Sequence, residues 1–339
     1  MEQKQEWFNT LRVIATIAVI TIHVSSNAIL KHNTLPFSNW GFALVFSSIS
    51  RFSVPIFFML SGALLLQKDE GIHQFLSKRF LKIIPPLIFW SLVYIFYDAF
   101  IVAKKAFTIT NFIALKWDEL LNGSQYHLWF VYTLLGLYLF IPIIRKWVKQ
   151  ASIKELSYFL AIWLISFLFT IPSIKQFLPK IELSNFAGYL GYMVLGYFLM
   201  QIHIKKKYAA IFALLGLAVI IFGTYYLAIT NHRLSKNYFV NNLNYPVFIY
   251  AVGVFMHFKN YEIQNQYLKG IINFINKYSF GIYLVHVLFI KILNTADINW
   301  KMAHPAISIP FTVLTCLVLS TLLVYLTGKI TDIIRKQLS

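Results

Sequence analysis

Long apolar segments separated by short polar loops constrain this chain more than any other feature of its sequence. Of its 339 residues, 58% are hydrophobic and only 12% are charged, whereas a soluble domain carries about a quarter charged residues. A helix needs about 20 mainly apolar residues to cross the hydrocarbon core of a bilayer. The sequence therefore predicts an all-α, polytopic membrane protein whose transmembrane helices, about ten in number, form one bundle.

Apolar length and low charge place the ten predicted spans along the chain. They are residues 8–30, 41–66, 84–102, 127–144, 156–174, 186–202, 208–229, 243–258, 278–293 and 306–327. The longest loop between them is too short for a further domain and no internal repeat is found, so we predict a single transmembrane domain over residues 1–339. The mixed charges of the first seven residues, with no small-residue cleavage site after the first apolar run, argue against a cleavable signal peptide.

Basic residues are distributed unevenly between the two sides of the predicted bundle. Alternate loops place 19 of the 30 lysines and arginines on one side and ten on the other, with Arg51 inside the second span. The richer side is assigned to the cytoplasm, and both termini are then cytoplasmic, as an even number of spans requires. The charges form short runs between apolar segments, so the net charge of +18 predicts contact with a lipid bilayer and no nucleic-acid partner.

Polar side chains inside the spans are the candidate functional residues, because such groups are costly at mid-bilayer. Arg12 and His23 lie eleven residues apart on one helix, where they share a face at a separation of roughly 16 Å. A guanidinium binds phosphate through paired hydrogen bonds, and a neutral imidazole can take a proton from a hydroxyl. Two simpler interpretations stay open: an interfacial basic residue for Arg12 and a helix-to-helix hydrogen bond for His23.

The second span carries Arg51 before Pro55, and then Ser61 and Gly62. Pro55 has no N–H and frees the carbonyl of Arg51, a break that is tolerated where a cavity or a neighbour satisfies the group. Arg51 needs either an anionic ligand or a structural partner such as Asp98. Ser61 and Gly62 are either site residues or small residues that permit close helix packing.

A basic patch precedes the third span. Lys78, Arg79 and Lys82 lie just before a pair of prolines, where they suit either anionic lipid or a polyphosphate ligand such as coenzyme A. The single cysteine, Cys316, lies in an apolar run and is predicted to be a core residue. No Cys/His cluster has metal-ligand spacing, so no metal site is predicted.

Two further histidines accompany the later spans. His127 and Trp129 open the fourth span on the predicted outer side, where they are either interfacial residues or contacts for an acceptor sugar. His286 lies deep in the ninth span, as a structural residue or a site residue. The sequence has no glycine-rich phosphate loop, no G-x-S-x-G elbow and no paired acids at catalytic spacing.

At these residues the sequence resembles the acyltransferase-3 family of membrane acyltransferases. Arg12 and His23 match its R-x10-H signature, and further blocks match in the same order: VPIFFMLSG (54–62), KRFLKIIPP (78–86), HLWFVYTLLGLYLFIPII (127–144) and SFGIYLVH (279–286). The five blocks extend over about 275 of the 339 residues. The chain is most similar to stand-alone O-acetyltransferases of surface polysaccharides, including those that act on enterobacterial common antigen or on the intercellular adhesin of biofilms.

The resemblance implies transfer of an acyl group, acetyl in the first place, from cytoplasmic acyl-CoA to a hydroxyl of a surface polysaccharide or lipid-linked glycan, at a bacterial plasma membrane. In family terms His23 is the essential histidine, as a base or a transient acyl carrier, and Arg12 is its partner. We expect Arg51 to assist at the reacting carbonyl or at an anionic acceptor. The expected donor-binding residues are Arg12, Lys78, Arg79 and Lys82, and the expected acceptor-binding residues are His127, Trp129, His286 and Ser61.

Lys82 departs from the family pattern, which often has two arginines three residues apart, and lysine lacks the planar fork of arginine. The 339 residues contain no segment expected to form the esterase-like domain fused in some relatives, so a relay through a second domain is not assumed. Two alternatives stay open. A transporter or exporter of a glycan or small polar molecule would need no acyl-CoA and usually shows internal repeats and discontinuous helices. A purely structural membrane subunit would leave the buried polar residues without a role.

Overall fold

The computed structural model describes residues 3–104, 108, 110, 119–171, 174, 177, 178, 183, 186–230 and 238–338. All regular structure in this part of the chain is helical, as predicted. The eleven longer helices are α1 (Gln3–Ile29), α2 (Phe37–Ile49), α3 (Ser53–Leu65), α4 (Ile72–Phe96), α5 (Trp129–Gln150), α6 (Ile153–Ser166), α7 (Gly188–Gln201), α8 (Lys206–Ile229), α9 (Tyr245–Phe258), α10 (Gln266–Thr295) and α11 (Pro305–Leu338). Shorter turns are a π-helix at Tyr97–Val102, an α-turn at Glu119–Asn122, and 3₁₀ turns at Phe167–Thr170 and Tyr238–Val240.

The outer surface of the bundle is apolar. Among the described residues, nine helical segments are long and apolar enough to cross a bilayer, and α7 is a shorter tenth helix of 14 residues. Only 17% of the residues in the most apolar stretch of α8 are buried inside the protein. The outward side chains of α8 include Leu214 and Phe222, which are largely exposed. A continuous apolar surface of this kind is stable against lipid. The chain is therefore a multi-pass membrane protein, as the sequence predicts.

Contacts between α1 and α10 show that these two helices run parallel. Arg12 Nη1 donates to Asn276 Oδ1 at 2.9 Å, and eleven residues farther along α1, His23 lies beside His286 with ring centroids 5.3 Å apart. The partners advance in the same direction on both helices. Two spans run parallel only if an odd number of other spans lies between them in the chain. Six long spans lie between α1 and α10 among the described residues. The number is odd only if the short helix α7 also crosses the bilayer. The contacts thus support the predicted count of ten spans.

The second span, predicted as one helix over residues 41–66, is built from two helices, α2 and α3. In the turn that joins them, the backbone N–H groups of Ser50 and Arg51 bond to carbonyls three residues back, each at 3.2 Å, instead of four. Pro55 favours a break here, because it has no N–H to complete the α-helical bond to the Arg51 carbonyl. The break places Arg51 between two half-helices inside the bundle.

Glycines allow α3 and α7 to approach backbone to backbone. A Cβ atom added at Gly62 would lie 1.9 Å from the carbonyl oxygen of Met193, and one added at Gly196 would lie 2.0 Å from that of Met59. Neither position accepts a side chain unless a helix moves. Of the two interpretations of this motif, close helix packing therefore applies to Gly62.

Candidate active site

Three histidines from distant parts of the sequence meet inside the bundle. His23 lies on α1, His286 on α10, and His127 in the turn before α5. Their ring centroids are 5.3 Å apart for His23 and His286, 5.0 Å for His127 and His286, and 6.3 Å for His23 and His127. His127 and His286 are buried, whereas His23 is half-buried. We call these three residues the histidine cluster.

Backbone carbonyls of α10 hold two of the three rings. His286 Nδ1 lies 2.6 Å from the carbonyl oxygen of Tyr283, and His127 Nε2 lies 3.4 Å from that of Leu284. The other nitrogens of these rings, His286 Nε2 and His127 Nδ1, are buried without a hydrogen-bond partner among the described residues. Tyr94 of α4 donates to the same Leu284 carbonyl at 2.9 Å. No group of three His, Cys, Asp or Glu side chains in the described ranges has the arrangement to hold a metal ion.

Arg51 lies near enough to His23 for the charge of its guanidinium to act on the His23 ring. Its Nη2 donates to Ser47 Oγ at 2.8 Å, and its Nε is buried with no partner in the described part of the chain. Asp98, the structural partner considered from the sequence, is bonded instead to Lys291 Nζ at 2.6 Å. Of the two alternatives for Arg51, pairing with Asp98 is therefore not found, because Lys291 of α10 pairs with Asp98.

A cavity of about 430 Å³ extends into the bundle from the ends of α3 and α4. The four residues predicted to bind the donor all line it, and two further lysines join them; the six are Arg12, Lys68, Lys78, Arg79, Lys82 and Lys277. Phe130 and Tyr283 line the cavity as well. The ring of Tyr283 lies 5.7 Å from the rings of both His127 and His286. One side chain thus connects the basic cavity to the histidine cluster.

One acid, Glu70, lies beside two of the basic residues that line the cavity, Lys78 and Arg79. Glu70 Oε2 lies 2.6 Å from Arg79 Nη1, and the Glu70 carbonyl accepts a hydrogen bond from Arg145. Burial alone would raise the pKa of Glu70, but the hydrogen bond and charge of Arg79, with the charges of Lys68 and Lys78, outweigh burial and lower this pKa below its usual value. Glu70 therefore stays ionised at neutral pH and offsets part of the positive charge.

Ser61 lies on the wall of the same cavity. Its hydroxyl donates to the Phe57 carbonyl at 2.8 Å, and its side chain also meets that of Tyr138. From the sequence we expect Ser61 among the acceptor-binding residues, but the structure places it beside the residues predicted for the donor, such as Arg12. The reason is the direction of α3, whose C-terminal half points toward the basic loops.

The structure separates His127 from Trp129, which the sequence places together at the outer mouth. The turn over residues 124–128 folds His127 inward, where it is 1% exposed. Trp129 is 39% exposed and packs against Tyr189, with ring centroids 5.4 Å apart. Tyr126 takes the mouth position next to the cluster: it is 59% exposed and its ring lies 5.0 Å from that of His23.

Sequence reasoning missed Tyr94, Tyr126, Tyr283 and Glu70. A signal for Tyr283 was present, since it lies three residues before His286 and therefore on the same helical face. Tyr94 offered no such signal, because its partner Leu284 is 190 residues away in the chain.

Comparison with known proteins adds three findings. The family model described as "Acyltransferase domain" matches residues 5–327. The "Putative membrane-bound acyltransferase YfiQ" of Bacillus subtilis (strain 168) is 23% identical over 337 aligned positions, which cover 90% of this chain and 87% of that protein. The "Probable poly-beta-1,6-N-acetyl-D-glucosamine export protein" of Staphylococcus aureus (strain MRSA252) is 24% identical over 331 positions, covering 91% and 89%. No solved structure matches the chain.

Proposed function

Because this chain belongs to the acyltransferase-3 family, whose model spans residues 5–327, we propose that it transfers an acyl group, acetyl in the first place, from acyl-CoA to a glycan hydroxyl. The acceptor is a cell-surface polysaccharide or its lipid-linked precursor. One observation carries the proposal: a cavity lined with basic residues reaches Tyr283, which contacts two histidines of the cluster. The proposed location is the bacterial plasma membrane, with the basic loops in the cytoplasm.

The basic end of the cavity suits the phosphates of coenzyme A. Lys78 and Lys82 are exposed and attract phosphate as point charges, while the guanidinium of Arg12 can form paired hydrogen bonds. The acyl-bearing arm then extends past Ser61 toward Tyr283. In this arrangement the thioester carbonyl arrives next to the histidine cluster while the phosphates stay in the cytoplasmic half.

The proposed reaction uses His23 and Arg51 in one transfer step. A nitrogen of His23 takes the proton of the acceptor hydroxyl as the oxygen attacks the thioester carbonyl carbon. Negative charge develops on the carbonyl oxygen, and in this proposal it is stabilised by Arg51, whose Nε has no hydrogen-bond partner among the described residues. The C–S bond then breaks, and the departing CoA thiolate takes the proton from the His23 imidazolium. The products are the glycan ester and free CoA.

The acceptor is proposed to enter from the side opposite the basic cavity. Tyr126 and Trp129 expose aromatic rings there, and such rings offer apolar faces with polar or wet edges. The name of the Staphylococcus aureus relative contains a polysaccharide, which supports a glycan acceptor for this chain.

The test is acyl transfer by the purified protein in proteoliposomes. Acetyl-CoA labelled in its acetyl group is supplied on the side of the basic loops, and glycan-containing membrane extract on the other side. We expect label on the glycan and release of one CoA for each acetyl group transferred, with none from protein-free vesicles. A protein that never moves label from acetyl-CoA, yet moves unmodified glycan across the bilayer, would refute the acyltransferase proposal.

A transporter is the second candidate function. The break between α2 and α3 puts Arg51 at an interrupted helix inside the bundle, and transporters commonly bind substrate at such breaks. The word "export" in the name of one relative points the same way. Dependence on acyl-CoA separates the two candidates, because glycan movement in its absence requires a transporter.

Arg12→Gln is expected to raise KM for acetyl-CoA by about 10- to 100-fold, the effect of one hydrogen bond to a charged group. Arg12→Lys keeps the charge without the fork and should recover part of the loss. The measurement is the initial rate of transfer against acetyl-CoA concentration. Lys329→Gln is the matched control, since it removes one exposed charge on α11 that does not line the cavity. Equal KM changes in both variants would mean that only net charge matters.

Glu70→Gln is expected to lower KM for acetyl-CoA by up to about fivefold, because it removes an acid paired with Arg79 in a partly exposed site. Asp69→Asn is the control, since Asp69 is exposed and pairs with Lys149 instead. Salt should reduce the difference. As the pKa of Glu70 is lowered, the difference should persist at mildly acidic pH and vanish only as the pH falls through that pKa. A KM that rises in Glu70→Gln would show that Glu70 mainly positions Arg79.

A further inference from the structure

In its neutral form, His286 presents a hydrogen-bond acceptor, and no donor, to the interior of the histidine cluster. Its Nδ1 lies 2.6 Å from the Tyr283 carbonyl oxygen, and because a carbonyl oxygen only accepts, this nitrogen carries the ring proton. In the neutral ring Nε2 is then a bare acceptor. Nε2 is buried without a partner in the described part of the chain, and buried polar atoms rarely stay unpaired. We therefore expect a hydrogen-bond donor to approach this atom.

His23 is placed to supply that donor. The two ring centroids are 5.3 Å apart and the ring planes are inclined by 32°. A hydrogen bond between two imidazoles needs about 5 Å between ring centres, because the nitrogens are about 3 Å apart and each lies about 1 Å from its centre. Rotation of the half-buried His23 ring is thus sufficient, without movement of α1 or α10.

The other polar groups around His23 do not fit the same role. Arg51 has donors only, so it cannot accept from His23. His127 presents an acceptor nitrogen, but its ring centroid lies 6.3 Å from that of His23. Tyr126 is exposed at the outer mouth, where water is available to its hydroxyl. Of the two other histidines of the cluster, His286 lies closer to His23, and its side chain is fully buried.

We propose that His286 is a positioning residue, whose Nε2 accepts the N–H of one His23 nitrogen and leaves the other His23 nitrogen free to act as the base. When His23 takes the hydroxyl proton, this bond becomes charge-assisted and stronger. His286 stays neutral and transfers no proton. The arrangement follows the general pattern in which a third group orients the base, here with a histidine as that group. The inference rests on the acyl-transfer function proposed above.

Two substitutions separate positioning from structural support, because the amides of asparagine and glutamine reach different parts of the imidazole outline. His286→Asn keeps a donor near Nδ1 for the Tyr283 carbonyl but leaves nothing at Nε2. His286→Gln places an oxygen acceptor near Nε2. We expect His286→Asn to lower kcat by about 10- to 100-fold, the effect of one hydrogen bond to a charged group, with KM for acetyl-CoA unchanged. His286→Gln should retain most of the activity. Equal losses in both variants would overturn the proposal.

A readout that needs no activity tests the contact itself. Nitrogen-15 NMR of histidine-labelled protein in lipid, with His23→Gln to assign the signals, should show coupling across a hydrogen bond between His23 and His286, lost in His286→Asn. Wild type that transfers acetyl groups without this coupling refutes the positioning role and leaves the proposed function intact. Coupling without any acetyl transfer refutes the proposed function and, with it, the role in catalysis.

Discussion

Replacement of His23 by alanine is expected to lower kcat for acetyl transfer by about 10²- to 10⁴-fold, the usual contribution of a general base, with KM for acetyl-CoA little changed. The ring of His23 does not line the basic cavity described above, so donor phosphates still meet Arg12 and Lys82. The substitution therefore removes a group that acts only in the chemical step, which lowers kcat. Initial rates in proteoliposomes over a range of acetyl-CoA concentrations separate kcat from KM.

His257→Ala is the matched control for that experiment. His257 is an exposed histidine in the last turn of α9, and its loss should leave both constants unchanged. If His23→Ala kept the turnover of the control, the proton would be taken by another group, and the histidine cluster would be a structural feature.

A quench experiment distinguishes the two roles open to His23. The protein is mixed with labelled acetyl-CoA in the absence of acceptor and then denatured. Label retained by the wild type but not by His23→Ala would identify His23 as a transient acyl carrier. No retained label, together with loss of turnover in His23→Ala, would identify it as a general base that acts in a single transfer step.

Membrane spans could be predicted from the sequence because the physical cause is local. A window of about 20 apolar residues decides whether a helix enters lipid, and no distant contact is needed. The division of the second span into two helices could be predicted only in part. Pro55 predicts a freed carbonyl at Arg51, but it does not predict where the first helix ends. The short i−3 bonds at Ser50 and Arg51 also depend on how α2 and α3 pack in the bundle.

The site could be predicted where its residues share one helix and not where they meet across helices. Helix geometry alone places Arg12 and His23 on one face of α1. The inward direction of His127 depends on the turn before α5. The residues next to His127 in the sequence do not distinguish it from an ordinary interfacial histidine. The pairing of Asp98 with Lys291 joins residues 193 positions apart. No local pattern contains that contact, so the sequence could offer Asp98 only as one possible partner of Arg51.

The second large effect is expected from the contact between α3 and α7. In Gly62→Ala the new methyl group would meet the Met193 carbonyl oxygen at 1.9 Å. A backbone carbonyl cannot turn aside as the end of a long side chain can, so the two helices must separate. Overpacking of this kind typically costs about 1–3 kcal/mol, and in a bilayer the packing of small residues is itself a main source of helix association.

The chain supplies both a control and a reporter for this prediction. Gly136 lies inside α5 with nothing within 4 Å of an added Cβ, so Gly136→Ala should leave stability unchanged or raise it by up to about 1 kcal/mol. Cys316 is the one cysteine of the sequence and is buried, so a thiol-reactive fluorophore reports unfolding during heating in detergent. We expect a clear decrease of Tm for Gly62→Ala only. Equal Tm values for the two variants would mean that α7 shifts at little cost, and that α3 and α7 are not held together by backbone contact.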